Sequence, residues 1–246
     1  MMVVLTALSF TACKKDKVEP VPVTPDPHTH DHGEVALKFN HMIGDDLVEF
    51  NQAYNLNGLE VTFTRIQYYL HDISFYPGHT LEDGITLSGK YLLVNGNSEF
   101  NLGDVELAHL HGMRFKIGVD PTSNSITSDE FAALEASNPL SAQNPSMHWS
   151  WAVGSGYKFV VFEGSFNNGA NTFVYHVATD ALLRQGNMFS THTDNDHENV
   201  TTLELKVDLA AIFNGIDIAT NSTQHGAGGV NPTIMDNMVG AFSKMD

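Results

Sequence analysis

Short runs in which every second residue is apolar recur along most of this chain, and that period commits the backbone to strands. Val35, Leu37 and Phe39 alternate with polar neighbours, and the stretch from Leu59 to Tyr69 repeats the pattern through Val61, Phe63 and Ile66. Ile73-Ser74-Phe75 extends it beyond a break, and Lys90–Val94, Glu99–Leu102, Met113–Val119, Tyr157–Phe166, Thr172–Val177 and Thr202–Val207 add further runs. Asn-Gly or Gly turns bound them, because these residues reach positive φ at little cost. A period of two turns one face inward and one outward, so such strands must pair and stack. Helical signals are few. Thr127-Ser128-Asp129-Glu130 reads as a capping box opening a short helix up to Ser137, Asp208 caps Leu209–Phe213, and Thr233–Ser243 follows Pro232 as a last helix. The expected fold is all-β and mainly antiparallel, a β-sandwich with a few short helices.

The chain has 246 residues, 42% of them hydrophobic, which is enough to bury a sizeable core. Its 29 acidic residues against 12 basic ones give a net charge of −17, which repels phosphate and argues against a nucleic-acid partner. The acidity would draw cations, although a solvated surface accounts for it as well.

The single cysteine, Cys13, follows an apolar run from Met1 to Ala12, and Phe10-Thr11-Ala12-Cys13 reads as a bacterial lipobox. Residues 1–12 are then a signal peptide, Cys13 is the lipidated N-terminus, and 13–33 form a stalk. In that stalk Pro20, Pro22, Pro25 and Pro27 favour extended polyproline backbone. A buried strand carrying a structural cysteine is the alternative for this segment. The domain proper is expected at 34–246. The expected location is the envelope of a Gram-negative bacterium, facing the periplasm or the cell surface. Membrane contact is through the lipid, since no stretch approaches the ~20 apolar residues of a spanning helix.

Thirteen histidines are many for one chain, and imidazole is the commonest protein metal ligand. His28, His30 and His32 alternate in the stalk, where chelation would have to order a flexible chain. His109 and His111 are spaced to share a strand face, which a hydrogen-bonded pair explains as well as a site does. His192, Asp194, Asp196, His197 and Glu198 make a polar loop without the glycine and terminal glutamate of a calcium loop. His41 and His176 stand in apolar strands, where a histidine is ordinarily a hydrogen-bonded core residue. Both tryptophans fall two apart in Ser146-Met147-His148-Trp149-Ser150-Trp151, so in an extended segment they face one side and His148 the other. Spacing alone leaves open a core anchor or an indole held beside a metal. The chain has no Gly-x-Ser-x-Gly elbow, phosphate loop, His-Glu-x-x-His or haem-attachment motif, so no enzyme is expected. Any redox activity would have to come from a bound metal.

The tryptophan segment, then Gly156-Tyr157-Lys158-Phe159, Phe162-Glu163-Gly164 and Tyr175-His176, resembles the signature of the MbnP-like copper-binding proteins. Phe39-Asn40-His41-Met42-Ile43-Gly44, Tyr68-Tyr69-Leu70-His71-Asp72-Ile73, Lys116-Ile117-Gly118-Val119-Asp120 and Asp236-Asn237 with Ala241-Phe242 extend the resemblance, in order, over nearly all of 34–246. The resemblance implies a β-sandwich holding one copper ion, Cu(I) or Cu(II), in copper capture or homeostasis. By position it offers His41 and His176 as ligands, and Trp149 or Trp151 as a residue oxidised to kynurenine. Tyr157 would line the site. His148, standing where the family has Phe, is either a third ligand or a surface histidine. A di-haem peroxidase-like partner is implied for the oxidation. The alternative is a lipid-anchored interaction module that keeps the fold with an altered or lost metal site.

Overall fold

The computed structural model describes residues 33–149, 156–195 and 200–245. In chain order the strands β1 (Gly33–Ile43), β2 (Asp46–Leu47), β3 (Ala53–Leu56), β4 (Leu59–Tyr76), β5 (Ile85–Asn95), β6 (Ser98–Val105) and β7 (His109–Ile117) come first. Two short helices follow, α1 (Pro121–Asn124) and α2 (Ser128–Ala132), then β8 (Lys158–Phe166) and β9 (Asn171–Ala178). The chain ends with β10 (Arg184–Asp194), β11 (Thr201–Asp208), α3 (Leu209–Ile212), β12 (Thr223–Gly226), α4 (Asn231–Met238) and β13 (Phe242–Lys244). The fold is mainly β, as the alternation requires.

Two sheets share the strands. In the smaller one β1 is central, with β11 along one edge and β6 and then β2 along the other, and β13 closes the far side of β11. The larger sheet is built on β4. One edge of this long strand pairs with β8 over its first half and with β7 over its second. The other edge pairs with β3 and then β5. Beyond β8 come β9 and β12, and beyond β7 comes β10, so the sheet forks from β4 and curls into a half-barrel. Register shifts at 63/65 and 71/73 along β4 mark bulges, which add the local twist that such curling needs. Most pairs are antiparallel, as expected, but β1 with β11 and β9 with β12 run parallel.

The core fills the space between the sheets. Phe213, just after α3, meets Phe63, Phe162, Phe173 and Tyr175 at ring-centroid distances of 5.2–6.4 Å. Phe39, Tyr68, Phe115 and Phe242 form a second aromatic group in edge contact. Each such buried ring contributes roughly 1.5–3 kcal/mol through area removed from water. The opposite face of β4 is covered by residues from 118–149, with Tyr69 donating to Pro139 O and Arg65 to Ser146 O, which explains why β4 is buried on both faces from Arg65 to His71.

Three local expectations change. The helix opened by the Thr127 capping box stops at Ala132, short of Ser137. The last helix stops at Met238, and Phe242–Lys244 is a strand on β11, because Gly240 breaks the helix and Phe242 pairs with Val207. The strand β10 was not legible, since Gln185, Asn187 and Thr193 spoil its apolar period; pairing with β7 holds it. Cys13, the stalk histidines and Trp151 lie outside the described residues.

Candidate metal centre

On the outer face of the large sheet, a row of polar side chains crosses four neighbouring strands. Arg65 comes from β4, Glu163 from β8, His176 from β9 and His225 from β12. Pairing dictates the row: Arg65 lies opposite Glu163, and His176 opposite His225. Because Phe173 and Tyr175 point inward onto Phe213, the strand period sends His176 outward.

Glu163 links the row. Its Oε1 accepts from Arg65 Nη1 at 3.0 Å and lies 2.7 Å from His176 Nε2. The bond from His176, together with the Arg65 charge, holds the Glu163 carboxyl below its ordinary value. An ionised carboxylate only accepts, so Nε2 must donate. The neutral ring then carries its lone pair on Nδ1, which is buried and has no hydrogen-bond partner. A carboxylate fixing one ring nitrogen so that the other is presented as a ligand is the usual outer arrangement of a metal-binding histidine.

Two aromatic groups close on that ring. His225 lies 5.0 Å from His176 between centroids, and the Trp149 indole lies 5.9 Å from His176 and 6.1 Å from His225. Burial and the neighbouring His176 and Lys158 lower the His225 pKa, which keeps a lone pair available near neutral pH. Trp149 is held by its backbone N–H donating to Gly156 O at 3.1 Å, and Lys158 Nζ sits 5.3 Å from its ring centroid. Lys158 also donates to Ser146 O at 2.9 Å, and Arg65 Nη2 donates to Ser146 O at 3.1 Å and contacts Met147 Sδ at 3.3 Å. These two cations therefore pin the 145–149 segment over the sheet. Gly156 at φ 75° lets the chain turn into β8 where a Cβ would strike Asn124.

The residues singled out from the sequence divide between places. His176 and Trp149 meet. His41 lies on the inner side of the large sheet, fully buried, with Nε2 3.1 Å from the Tyr68 hydroxyl. The sheet therefore stands between His41 and His176. His148 turns toward α2, 4.4 Å from Phe131 and 5.1 Å from Tyr157 between ring centroids, with Nδ1 3.1 Å from Trp149 O. Tyr157 donates to Leu140 O at 2.8 Å and packs edge-on against Tyr69, anchoring the excursion.

His225 was not singled out from the sequence. Gln224-His225-Gly226-Ala227-Gly228-Gly229 carries no alternation and reads as a glycine-rich loop; only the parallel pairing with β9 brings it to His176. Among the described residues no three His, Cys, Asp or Glu side chains form a ready metal-binding group. The candidate ligands are thus two imidazoles walled by the Trp149 indole, and two imidazoles with an apolar wall suit a soft ion of low coordination number. An orphaned buried ring nitrogen beside a second imidazole fits such an ion.

The sequence profile of the family described as MbnP matches residues 32–235. No curated protein sequence matches the chain. Among solved structures, MbnP from Methylosinus trichosporium superposes with a TM-score of 0.51 at 15% identity, covering 80% of this chain and 81% of that one. At that identity the superposition speaks for the fold, while the profile spans most of the chain and settles its kinship. The chain belongs to the MbnP family.

Proposed function

We propose that this protein binds one copper ion at the cluster of His176, His225 and Trp149, and serves copper capture or homeostasis at the cell envelope. The observation that carries the reading is the His176 ring, fixed by Glu163 at Nε2 and left with a buried, unpartnered Nδ1 beside His225. His176 and His225 would hold the ion, and copper would supply a soft, redox-capable centre. Trp149, walling the cluster, is the tryptophan whose oxidation to kynurenine would add a nitrogen donor there. The reading keeps the lipid anchor on Cys13 and the di-haem peroxidase-like partner as parts of the same proposal, and it assigns no enzymatic activity.

Native mass spectrometry of the full mature protein with added copper tests this. About one copper per chain is expected at this cluster at micromolar metal, with at least tenfold weaker binding after His176→Ala or His225→Ala. Copper binding that is indifferent to both substitutions would overturn the site. No copper binding at all would leave the alternative, an interaction module on the same fold.

A further inference from the structure

A second pair of imidazoles meets at the opposite end of β4. Tyr76, the last residue of that strand, pairs with Gly112 of β7, so the loop 77–84 starts beside His111. That start brings His79 onto His111, with ring centroids 4.7 Å apart and planes at 72°. Two residues along β7, His109 shares the side of His111, since Leu110 and Gly112 between and after them are buried. Its Nδ1 lies 3.1 Å from Asp194 Oδ1 on the neighbouring strand β10. The carboxylate accepts, so Nδ1 donates.

We propose that His79 and His111 form a second metal site, for a borderline divalent cation of the Zn2+, Cu2+ or Ni2+ class, with His109 next to it along the same strand. Nitrogens bound to one such ion sit ~2.0–2.1 Å from it, and so about 3–4 Å from each other. Two imidazoles whose centroids are 4.7 Å apart are close enough to share one ion once the exposed His79 ring turns toward it. The ligands come from a strand and from the loop that β4 delivers to it, so one partner is fixed and the other adjusts. Water completes the coordination of the ion. The acidic chain, at −17, raises the local concentration of any cation. The His176 cluster lies near Arg65 and the His79 pair beyond Tyr76, which an extended strand separates by roughly 30 Å. The two sites are therefore distinct, and this one does not depend on the copper reading.

Calorimetric titration with Zn2+ tests the site in the full chain with His28, His30 and His32 replaced by Ala to silence the stalk. Adding His176→Ala and His225→Ala should leave about one Zn2+ per chain in the micromolar range, and adding His79→Ala should then weaken it at least tenfold. His109→Ala should weaken it less than His79→Ala. Should the His176 and His225 substitutions impair folding, His79→Ala alone, at an exposed loop position, should remove one equivalent from the otherwise intact protein. A failed copper reading would show as copper binding, by native mass spectrometry, that is untouched by His176→Ala and His225→Ala, while His79→Ala still removes a Zn2+ equivalent. Identical stoichiometry and affinity with and without His79→Ala and His111→Ala would overturn the second site.

Discussion

His41 shows what a histidine costs when a core encloses it. It is fully buried, its Nε2 meets the Tyr68 hydroxyl, and desolvation lowers its pKa to about 4, with Asn97 acting weakly in the other direction. The unfolded chain takes up a proton on this ring first, near pH 6.5. Stability due to its neutral burial is therefore complete above about pH 6.5 and lost as pH falls toward about 4, by roughly 3 kcal/mol. His71, His148 and His225 are also lowered and add in the same direction. The urea midpoint should fall steeply from pH 7 to pH 4, and His41→Gln should visibly flatten that fall; equal slopes would reject the assignment. At this scale the sequence was informative about which histidines sit in apolar strands, His41 and His176 among them. It was silent about which side of a sheet each one faces. Facing depends on bulges such as the one near Thr64, and a bulge leaves no mark in apolar periodicity.

Elements supply the positions that residues alone cannot. The short strand β12 holds His225 against β9, and it is tied there by Asn231 at the start of α4. The Asn231 side-chain amide donates to His176 O at 3.2 Å and to Gly226 O at 2.9 Å, linking the two strands that carry the paired imidazoles. Asn231 is fully buried, so Asn231→Ala strands two acceptors and should cost about 1–3 kcal/mol. Copper affinity should fall with it, although the bonds Asn231 makes are to backbone carbonyls rather than to a ring nitrogen; unchanged affinity with lowered stability would show that β12 needs no such tie. The strands with clean alternation, β1, β4, β8, β9 and β11, were legible because both packing and period act on them. The strands β10 and β12 were not, because neighbours rather than their own side chains keep them extended.

For the molecule as a whole, a metal held only by the folded state adds its binding energy to stability. At free copper about a hundredfold above the dissociation constant this is roughly 2.7 kcal/mol, which for a domain of this size raises the melting temperature by about 5–11 °C. Thermal melts with and without copper should show that rise, and His176→Ala with His225→Ala should abolish most of it; a rise unaffected by those changes would move the ion elsewhere. The sandwich class was readable from period and turns, and the family from an ordered series of short motifs. The forked sheet was not, since one long strand serving two neighbours per edge is a matter of length and bulges rather than composition. The central place of β1 carries a further consequence for assembly. Its parallel partner β11 lies some way off, Val35 pairing with Thr201 and Met42 with Asp208, so a chain emerging from its N-terminus offers β1 a partner on only one edge until nearly all of it is available. Through that interval the exposed edge is an open template for another chain, and protection by a holdase or by slow delivery would bear most heavily on this strand.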